Sequence, residues 1–351
     1  MFLERNFVPR SNPFYSFWMG GYECTDQLNC FGNRVDLLNI TGHLDQIDED
    51  YEDLSVFDIK TVREGIRWSV VEKIPFTYDW SSVHKMMTAG KRHGIQQVWD
   101  ICHFGFASDL TPLHPMFARR FAALCKEFVR FFRSVDACSE IIVTPINEVS
   151  FISWLGGDAC GTTPYTRGYG WEVKYALMRA YIEGIEAMKS EEQNIRIMPT
   201  EPLVNMVPPL SSTAEETIQA AHIHQSQFQV LDILCGKMCP ELRGKPEYID
   251  IVGCNFYFNN QWNITTNEFL AWDNRDFDPR WRPLSDLILQ LHSRYQCPIV
   301  LSETSHPGED RPRWINYISN ECQLLLNKDI PLWGICWYPI IDRPDWDSVL
   351  L

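Results

Sequence analysis

Basic residues are scarce in this sequence. Its 31 Lys and Arg residues are outnumbered by 46 Asp and Glu among 351 residues, which gives a formal net charge of −15. An acidic surface repels the phosphates of nucleic acids and the anionic headgroups of membranes, so we expect neither as a partner. The sequence also lacks an apolar run long enough to span a membrane, and residues 1–10 lack the apolar segment of a secretory signal peptide. These absences favour a cytoplasmic protein.

Metal-binding and nucleotide-binding patterns are also missing. The 12 cysteines form no CxxC pair, and the closest two, Cys235 and Cys239, have no histidine cluster beside them. We therefore expect reduced thiols without a disulfide framework. His222 and His224 lie in a predicted helix, where a spacing of two residues turns their rings about 200° apart and prevents a shared metal ion. Since no glycine-rich phosphate loop and no GxSxG motif occur either, the sequence predicts no metal and no cofactor.

Short apolar runs alternate with helical patterns along the whole chain. Such alternation is typical of parallel βα units. Helical spacing of apolar residues is clear, for example, at Phe117, Phe121, Leu124 and Phe128. Eight apolar runs are predicted to be strands: 17–23, 61–69, 96–103, 141–147, 195–200, 249–257, 299–302 and 332–338.

Eight alternations without an intervening linker favour a single (β/α)8 TIM barrel over residues 1–351 rather than two domains. Only residues 340–351 follow the eighth predicted strand, which leaves no room for a full eighth helix. We therefore expect the last helix to be missing or truncated. A contact with a second subunit, in a homo-oligomer, would cover that flank of the barrel.

Two glutamates end two of the predicted strands. Glu148 follows the run 141–147, and Glu303 follows the run 299–302. In a parallel barrel, side chains at the C-terminal ends of the strands meet in one cleft. Two carboxyl groups in one cleft suit glycoside hydrolysis, with one as the acid and the other as base or nucleophile. Asn147 is expected to hydrogen-bond a sugar 2-hydroxyl beside Glu148.

Neighbouring polar residues suggest different roles for the two carboxyl groups. We expect Arg67 to keep Glu303 ionised, because a nearby cation lowers the pKa of a carboxyl group, and Tyr257 to donate a hydrogen bond to it. Glu148 lacks such a cation, so a raised pKa is expected to suit it for the acid role. His103 is expected to bind sugar hydroxyls, although a lone histidine is more often structural. Other predicted strand ends carry polar residues without an assigned role: Glu23, Asp26, Asp100 and Glu201.

These motifs resemble those of the retaining glycosidases of clan A. The likeness is greatest to glycoside hydrolase family 1, which includes β-glucosidases, β-galactosidases and 6-phospho-β-glucosidases, and it follows the strand order of nearly the whole chain. The segment 144–148 is similar to the T-x-N-E acid/base motif with a changed spacing, and 302–304 to the nucleophile motif. The segments 65–69 and 253–257 are similar to motifs whose Arg and Tyr contact the nucleophile, here Arg67 and Tyr257 with Asn255 before it.

The resemblance also implies residues that bind the sugar. His103 with Phe104 looks like the family's His-Trp pair, and Gln27 matches a glutamine that binds sugar hydroxyls. The segment 341–346 resembles L-D-N-F-E-W, which assigns the outer hydroxyls to Asp345 and Trp346. The tryptophan that precedes this motif in the family corresponds to Trp337 or Tyr338. Arg343 departs from the family pattern and is expected to pair with Asp342, or else to meet an anionic sugar substituent.

The sequence thus predicts a retaining β-glycosidase that acts on a carbohydrate, of β-glucoside or β-galactoside type, by double displacement. Glu303 is the predicted nucleophile and Glu148 the predicted acid/base. Three alternatives stay open. In the first, the same two glutamates transfer the sugar to an acceptor, so the protein is a transglycosylase. In the second, the barrel binds glycans without cleaving them. In the third, the barrel carries out a proton abstraction such as sugar isomerisation.

Overall fold

The structure is a computed structural model that describes residues 10–273 and 278–348. Eight predicted strands are confirmed in place, most of them shorter than predicted because the chain turns into a loop at the cleft. Two short strands, Asn205–Val207 (β7) and Gln261–Asn263 (β9), form a separate pair outside the main sheet. The strands are β1 Trp18–Gly21, β2 Thr61–Gly65, β3 Gln96–Asp100, β4 Ile142–Thr144, β5 Arg196–Ile197, β6 Thr200–Pro202, β7 Asn205–Val207, β8 Val252–Asn255, β9 Gln261–Asn263, β10 Ile299–Thr304 and β11 Leu332–Trp337.

The main sheet is parallel and curls into the predicted TIM barrel. Its order is β5-β4-β3-β2-β1-β11-β10-β8-β6. The strands at the two ends of this order, β5 and β6, are consecutive in the chain and are separated only by Met198 and Pro199. They act as two halves of one strand, since β5 pairs with β4 and β6 pairs with β8. The eight strand positions of a (β/α)8 barrel are therefore all filled.

Helices surround the sheet and bury the predicted apolar stripes. In the helix of residues 117–135, Phe117, Phe121, Leu124 and Phe128 are all buried. The helices are α1 Leu37–Ile40, α2 Ile47–Leu54, α3 Trp68–Val71, α4 Ser81–His93, α5 Phe117–Val135, α6 Val149–Gly157, α7 Gly170–Glu191, α8 Ala214–Gln225, α9 Gln229–Leu234, α10 Leu284–Tyr295 and α11 Arg311–Leu326. Short 3₁₀ turns occur at Ser55–Phe57, Ser226–Phe228, Pro240–Leu242, Pro246–Tyr248, Gly308–Asp310 and Trp346–Ser348.

Apolar side chains fill the inside of the barrel. One residue from most strands contributes to a buried cluster, which the ring of Tyr338 joins; the members are Met19, Val98, Ile142, Met198, Ile251, Val300, Cys336 and Tyr338. Gly21 makes room for this ring, because a Cβ atom there would lie 2.0 Å from Tyr338 Cδ2. Since the interior is packed, a ligand has to bind in the loops at the C-terminal ends of the strands.

The described part of the chain has no α-helix after β11, as the sequence predicted. The chain itself covers part of this flank. Gly20 of β1 faces Ile340 and Leu54, and a Cβ atom at Gly20 would lie 3.0 Å from Ile340 Cδ1 and 3.5 Å from Leu54 Cδ2. The homo-oligomer stays a prediction. Among the described residues, the helices are too short or too polar to cross a membrane.

Candidate active site

Glu303 lies in β10 and is held by a cation and a phenol. Arg63 Nη1 donates a hydrogen bond to Glu303 Oε1 (2.9 Å), and Tyr257 Oη donates one to Glu303 Oε2 (2.9 Å). Arg63 is itself buried in β2, where Nη2 donates to Asp100 Oδ2 (2.6 Å). The single guanidinium is shared between two carboxylates. Both oxygens of Glu303 therefore accept hydrogen bonds, one from a cation and one from a phenol.

The prediction that Arg67 lies beside Glu303 is wrong in its geometry. Arg67 Nη1 donates instead to Asp36 Oδ2 (2.6 Å), and Arg63 occupies the expected place. The predicted strand ran to residue 69, whereas β2 ends at Gly65 and helix α3 begins at Trp68. Residues 63 and 67 would share one face only if the strand continued through both. The place of a cationic residue inside the predicted strand was the signal that could have marked Arg63.

Glu148 is held by neutral groups rather than by a cation among the described residues. It follows β4 and occupies the N-cap position of α6 with φ 46° and ψ 57°, in the left-handed region. Its backbone N–H donates to Thr200 O (3.0 Å), and its Oε1 accepts from Asn255 Nδ2 (2.8 Å). Burial, followed by the negative charge of Glu303, raises the pKa of Glu148 to about 8. Glu148 is thus protonated near neutral pH, as an acid requires.

Two asparagines connect the carboxyl groups to the strands around them. Asn147 Oδ1 accepts from Thr200 Oγ1 (2.6 Å) and from Arg63 Nη2 (3.3 Å). Asn255 Oδ1 accepts from Ser302 Oγ (2.7 Å) while its Nδ2 donates to Glu148. Asn147 and Asn255 are therefore both fixed in orientation by the barrel, and both predicted residues lie in the cleft.

His103 lies below the cleft between two buried carboxylates. His103 Nδ1 is 2.8 Å from Asp100 Oδ2, and His103 Nε2 is 3.4 Å from Glu23 Oε1. Burial opposes a charge on His103, but contacts with Cys24, Asp100 and Glu23 outweigh it and raise the pKa of His103 well above its usual range. Asp100 and Glu23 had no role in the sequence-based prediction. Their signal was their place at predicted strand ends.

The same part of the site contains three potential metal-ligand atoms. Cys24, Asp100 and His103 each offer one, and these atoms lie within 4.8 Å of one another. Asp100 Oδ2 already accepts a hydrogen bond from the cation Arg63 and contacts His103, whose raised pKa favours the charged form. A further positive charge is unfavourable there. We therefore assign no metal to this cluster.

Gln27 and Trp346 are two of the residues that the resemblance assigned to sugar binding, and this assignment stays a prediction. Trp346 packs against Phe104 and Phe151, with ring centroids 5.4 Å and 6.0 Å away. Gln27 Oε1 and Trp346 Nε1 are buried and have no hydrogen-bond partner within the described residues. Unpartnered buried polar atoms are costly, and ligand hydroxyls in the cleft would satisfy them.

The segment around Arg343 differs from its prediction. Arg343 Nε lies 3.0 Å from Glu23 Oε2, at ion-pair distance, whereas Asp342 accepts a hydrogen bond from Arg311 (2.5 Å). Asp345 is exposed, and its carboxylate accepts from the backbone N–H of Trp346 (2.9 Å). Pairing of Arg343 with Asp342 is therefore wrong, because Glu23 offers a buried partner. Asp345 does not lie with the buried residues of the site.

Trp337 and Tyr338 were both candidates for one position. Tyr338 stacks on His103, with centroids 5.6 Å apart and planes 9° apart, and its ring lies 5.0 Å from the guanidinium carbon of Arg63. Trp337 precedes it in the chain and is partly buried against the larger hydrophobic cluster. Tyr338 is therefore the residue that contacts the buried charges of the site.

The sequence matches no protein-family model and no curated protein sequence. Solved structures of low sequence identity share the fold. A family 1 glycoside hydrolase from Thermotoga maritima, complexed with a cyclophellitol analogue, aligns with a TM-score of 0.74 at 14% identity, over 96% of this chain and 90% of that one. A β-glucosidase from Exiguobacterium marinum aligns with a TM-score of 0.72 at 14% identity, over 92% and 89%. The chain therefore has the TIM-barrel fold of family 1 glycoside hydrolases.

Proposed function

We propose that this protein is a retaining β-glycosidase. The observation that carries the proposal is the difference between the two carboxyl groups. Glu303 accepts hydrogen bonds from Arg63 and Tyr257, which suit an ionised nucleophile. Glu148 accepts one from the neutral amide of Asn255, and its pKa of about 8 suits a proton donor. One ionised and one protonated carboxyl group are what the first step of double displacement needs.

In the first step, a carboxylate oxygen of Glu303 attacks the anomeric carbon as the bond to the leaving oxygen breaks. Glu148 transfers its proton to that oxygen, which departs as an alcohol. Formation of the ester removes the negative charge of Glu303. Since this charge helps to raise the pKa of Glu148, that pKa falls in the glycosyl-enzyme.

In the second step, Glu148 is therefore ionised and acts as a base. It takes a proton from a water molecule whose oxygen attacks the anomeric carbon, and the bond to Glu303 breaks. The sugar leaves with its original anomeric configuration, and Glu148 is protonated again. Retention requires a separation of roughly 5–5.5 Å between the two carboxyl groups.

A carbohydrate substrate of β-glucoside or β-galactoside type is supported by the polar groups around the cleft. Gln27 Oε1 and Trp346 Nε1 are one acceptor and one donor without partners in the described chain, and sugar hydroxyls can satisfy both. Two structures with the same fold are a β-glucosidase from Thermotoga maritima in complex with glucoimidazole and one with deoxynojirimycin. These bound sugar mimics support a sugar in the cleft of the present chain.

The variant Glu148→Ala tests the acid/base assignment. Without the acid, kcat/KM for glycosides with poor leaving groups should fall by about 10³-fold, because general acid catalysis contributes roughly 10²–10⁴-fold. Activated aryl glycosides need little protonation, so their first step should slow far less. Azide should restore turnover of the activated substrates and yield a β-glycosyl azide.

The control is the wild-type enzyme with azide, which should gain nothing. Equal slowing of both kinds of substrate would contradict the acid role. Proton NMR of the first sugar formed decides between retention and inversion. Product analysis at high concentrations of an acceptor sugar separates hydrolysis from transglycosylation.

A further inference from the structure

Glu201 is a buried acidic residue that the proposed reaction does not use. It lies in β6 and is 5% exposed. Its carboxylate faces the first turn of helix α6, where Oε2 accepts a hydrogen bond from the backbone N–H of Ser150 (3.1 Å). Ser150 is two residues after Glu148. The buried carboxylate of Glu201 thus contacts the backbone of the segment that carries Glu148, the proposed acid.

Helix α6 needs such a partner at its beginning. The first N–H groups of a helix have no acceptor within the helix, and the side chain of the N-cap residue usually accepts from one of them. Here the N-cap residue is Glu148, whose side chain makes no capping hydrogen bond among the described residues and instead accepts from Asn255. Glu201 supplies the missing acceptor from the neighbouring strand, and its negative charge suits the helix N-terminus.

Glu201 and the residue before it together fix the backbone around Glu148. Thr200 O accepts from the N–H of Glu148 (3.0 Å), and Thr200 Oγ1 donates to Asn147 Oδ1 (2.6 Å). Glu148 has φ 46°, a conformation that costs a non-glycine residue about 1–3 kcal/mol. Such a conformation persists only where its surroundings hold it, and here strand β6 does so from both sides.

We propose that Glu201 is a positioning residue for Glu148: its carboxylate caps helix α6, helps to hold the left-handed backbone of Glu148, and places a negative charge beside the segment that carries Glu148. This inference rests on the proposed function, in which Glu148 is the acid. It adds a residue from a different strand to the machinery of that reaction.

Ionisable groups from several described elements face this pair of glutamates. Lys174 and Tyr181 of α7 approach Glu201, but Lys174 Nζ donates to Gln229 Oε1 (2.8 Å). Glu303, His103 and Tyr257 lie close enough to Glu148 to interact with its charge. Burial raises the pKa of Glu201 to about 7, so its charge develops just below the titration of Glu148. Glu201 therefore becomes charged over the pH range in which Glu148 titrates.

Two variants separate the charge of Glu201 from its cap. Glu201→Gln keeps an acceptor oxygen for Ser150 and removes the charge, so the basic limb of kcat/KM should move to lower pH by about half a pH unit to one unit. Glu201→Ala removes both the charge and the acceptor oxygen. Its kcat/KM should therefore fall by about 10–100-fold for substrates with poor leaving groups, and by less than about fivefold for activated ones. Misfolding would reduce both substrates equally.

The matched control is Glu216→Gln. Glu216 is also a glutamate at a helix N-terminus, where it forms a capping box with Thr213 at the start of α8. This variant should leave both the pH profile and the leaving-group ratio unchanged. An unshifted basic limb in Glu201→Gln, together with an unchanged leaving-group ratio in Glu201→Ala, would overturn the proposal.

A titration independent of turnover keeps this test separate from the proposed function. The carboxyl carbon of Glu148 is followed by ¹³C NMR in protein labelled at glutamate, and it is assigned with Glu148→Gln. Its midpoint should be lower in Glu201→Gln than in the wild type, and equal midpoints would overturn the proposal. A wild-type protein that cleaves no glycoside and forms no glycosyl-enzyme would refute the proposed function, whereas the titration would still decide the influence of Glu201.

Discussion

Two buried histidines in this molecule lie between pairs of carboxylates. The site triad, next to the cleft, consists of His103, Asp100 and Glu23. The outer triad, between the barrel and helix α2, consists of His43, Asp50 and Glu64. In both, a tyrosine ring stacks on the histidine, with ring centroids 5.6 Å apart at His103 and 3.7 Å apart at His43.

The difference between the triads comes from strand β2. Its neighbouring residues Arg63 and Glu64 point to opposite faces of the sheet. Arg63 faces the barrel interior and joins Asp100 of the site triad to Glu303. Glu64 faces the helices, where it contacts His43 and accepts a hydrogen bond from Tyr51 (2.6 Å). One set of residue types thus serves the proposed reaction on one face and packing on the other.

Removal of Arg63, the cation between Glu303 and Asp100, should reduce activity more than any other change predicted below. Arg63→Gln should lower kcat/KM by about 10³-fold, because it removes a preorganised charge next to the nucleophile. It should also destabilise the fold, since Asp100 keeps a buried charge without Arg63. Steady-state kinetics with an aryl β-glycoside measures the first effect, and denaturant unfolding the second.

The matched control for this prediction is Arg67→Gln. Arg67 lies four residues further along and pairs with Asp36 rather than with a carboxyl group of the site. We expect less than about a tenfold change in kcat/KM. A greater loss in Arg67→Gln than in Arg63→Gln would restore the original prediction from the sequence and contradict the present assignment.

The next prediction separates the two triads directly. Asp100→Asn should lower kcat/KM by about 10–100-fold, because Arg63 and His103 both lose a charged partner close to Glu303. Glu64→Gln should leave kcat/KM within about threefold and lower the free energy of unfolding by about 3 kcal/mol, as expected when a buried charge loses its partner. If Glu64→Gln affected catalysis as strongly as Asp100→Asn, the division between the two faces of β2 would be wrong.

The outer triad should also make stability depend on pH. Glu64 and Asp50 outweigh the burial of His43 and raise its pKa from 6.5 to about 9. A raised pKa in the folded state stabilises the protein fully below pH 6.5, and this stabilisation disappears as the pH rises to about 9. The contribution of His43 to the free energy of unfolding therefore falls by about 3 kcal/mol over this pH range. Denaturant unfolding at pH 6 and pH 9 should show this loss in the wild type, and His43→Phe should show a smaller one.

Strand β2 shows which part of the fold was predictable from the sequence and which part was not. Eight strands were predictable because strands buried on both sides read as continuous apolar runs. The end of β2 was not predictable, since residues 66–69 alternate apolar and polar side chains as a strand does but lead into helix α3. The choice between Arg63 and Arg67 depended on that end. A change of one element boundary thus altered which cation meets Glu303.

The positions of the two candidate glutamates were predictable, because both come at the C-terminal ends of predicted strands whose direction places them at the same end of the barrel. Partners from distant segments were less so. The contact of Arg343 with Glu23 joins the last loop to the first, and no spacing in the sequence indicates it. The same holds for Glu201, whose partner Ser150 belongs to another βα unit. Tertiary packing decides such contacts.

Covalent trapping can identify the nucleophile. A 2-deoxy-2-fluoro aryl β-glycoside slows the hydrolysis of a glycosyl-enzyme, so the adduct survives proteolysis and can be mapped by mass spectrometry. We predict one adduct per chain, on Glu303, and none in Glu303→Gln. An adduct on a different residue would contradict the mechanism, and the absence of an adduct with every sugar offered would favour a barrel that binds glycans without cleaving them.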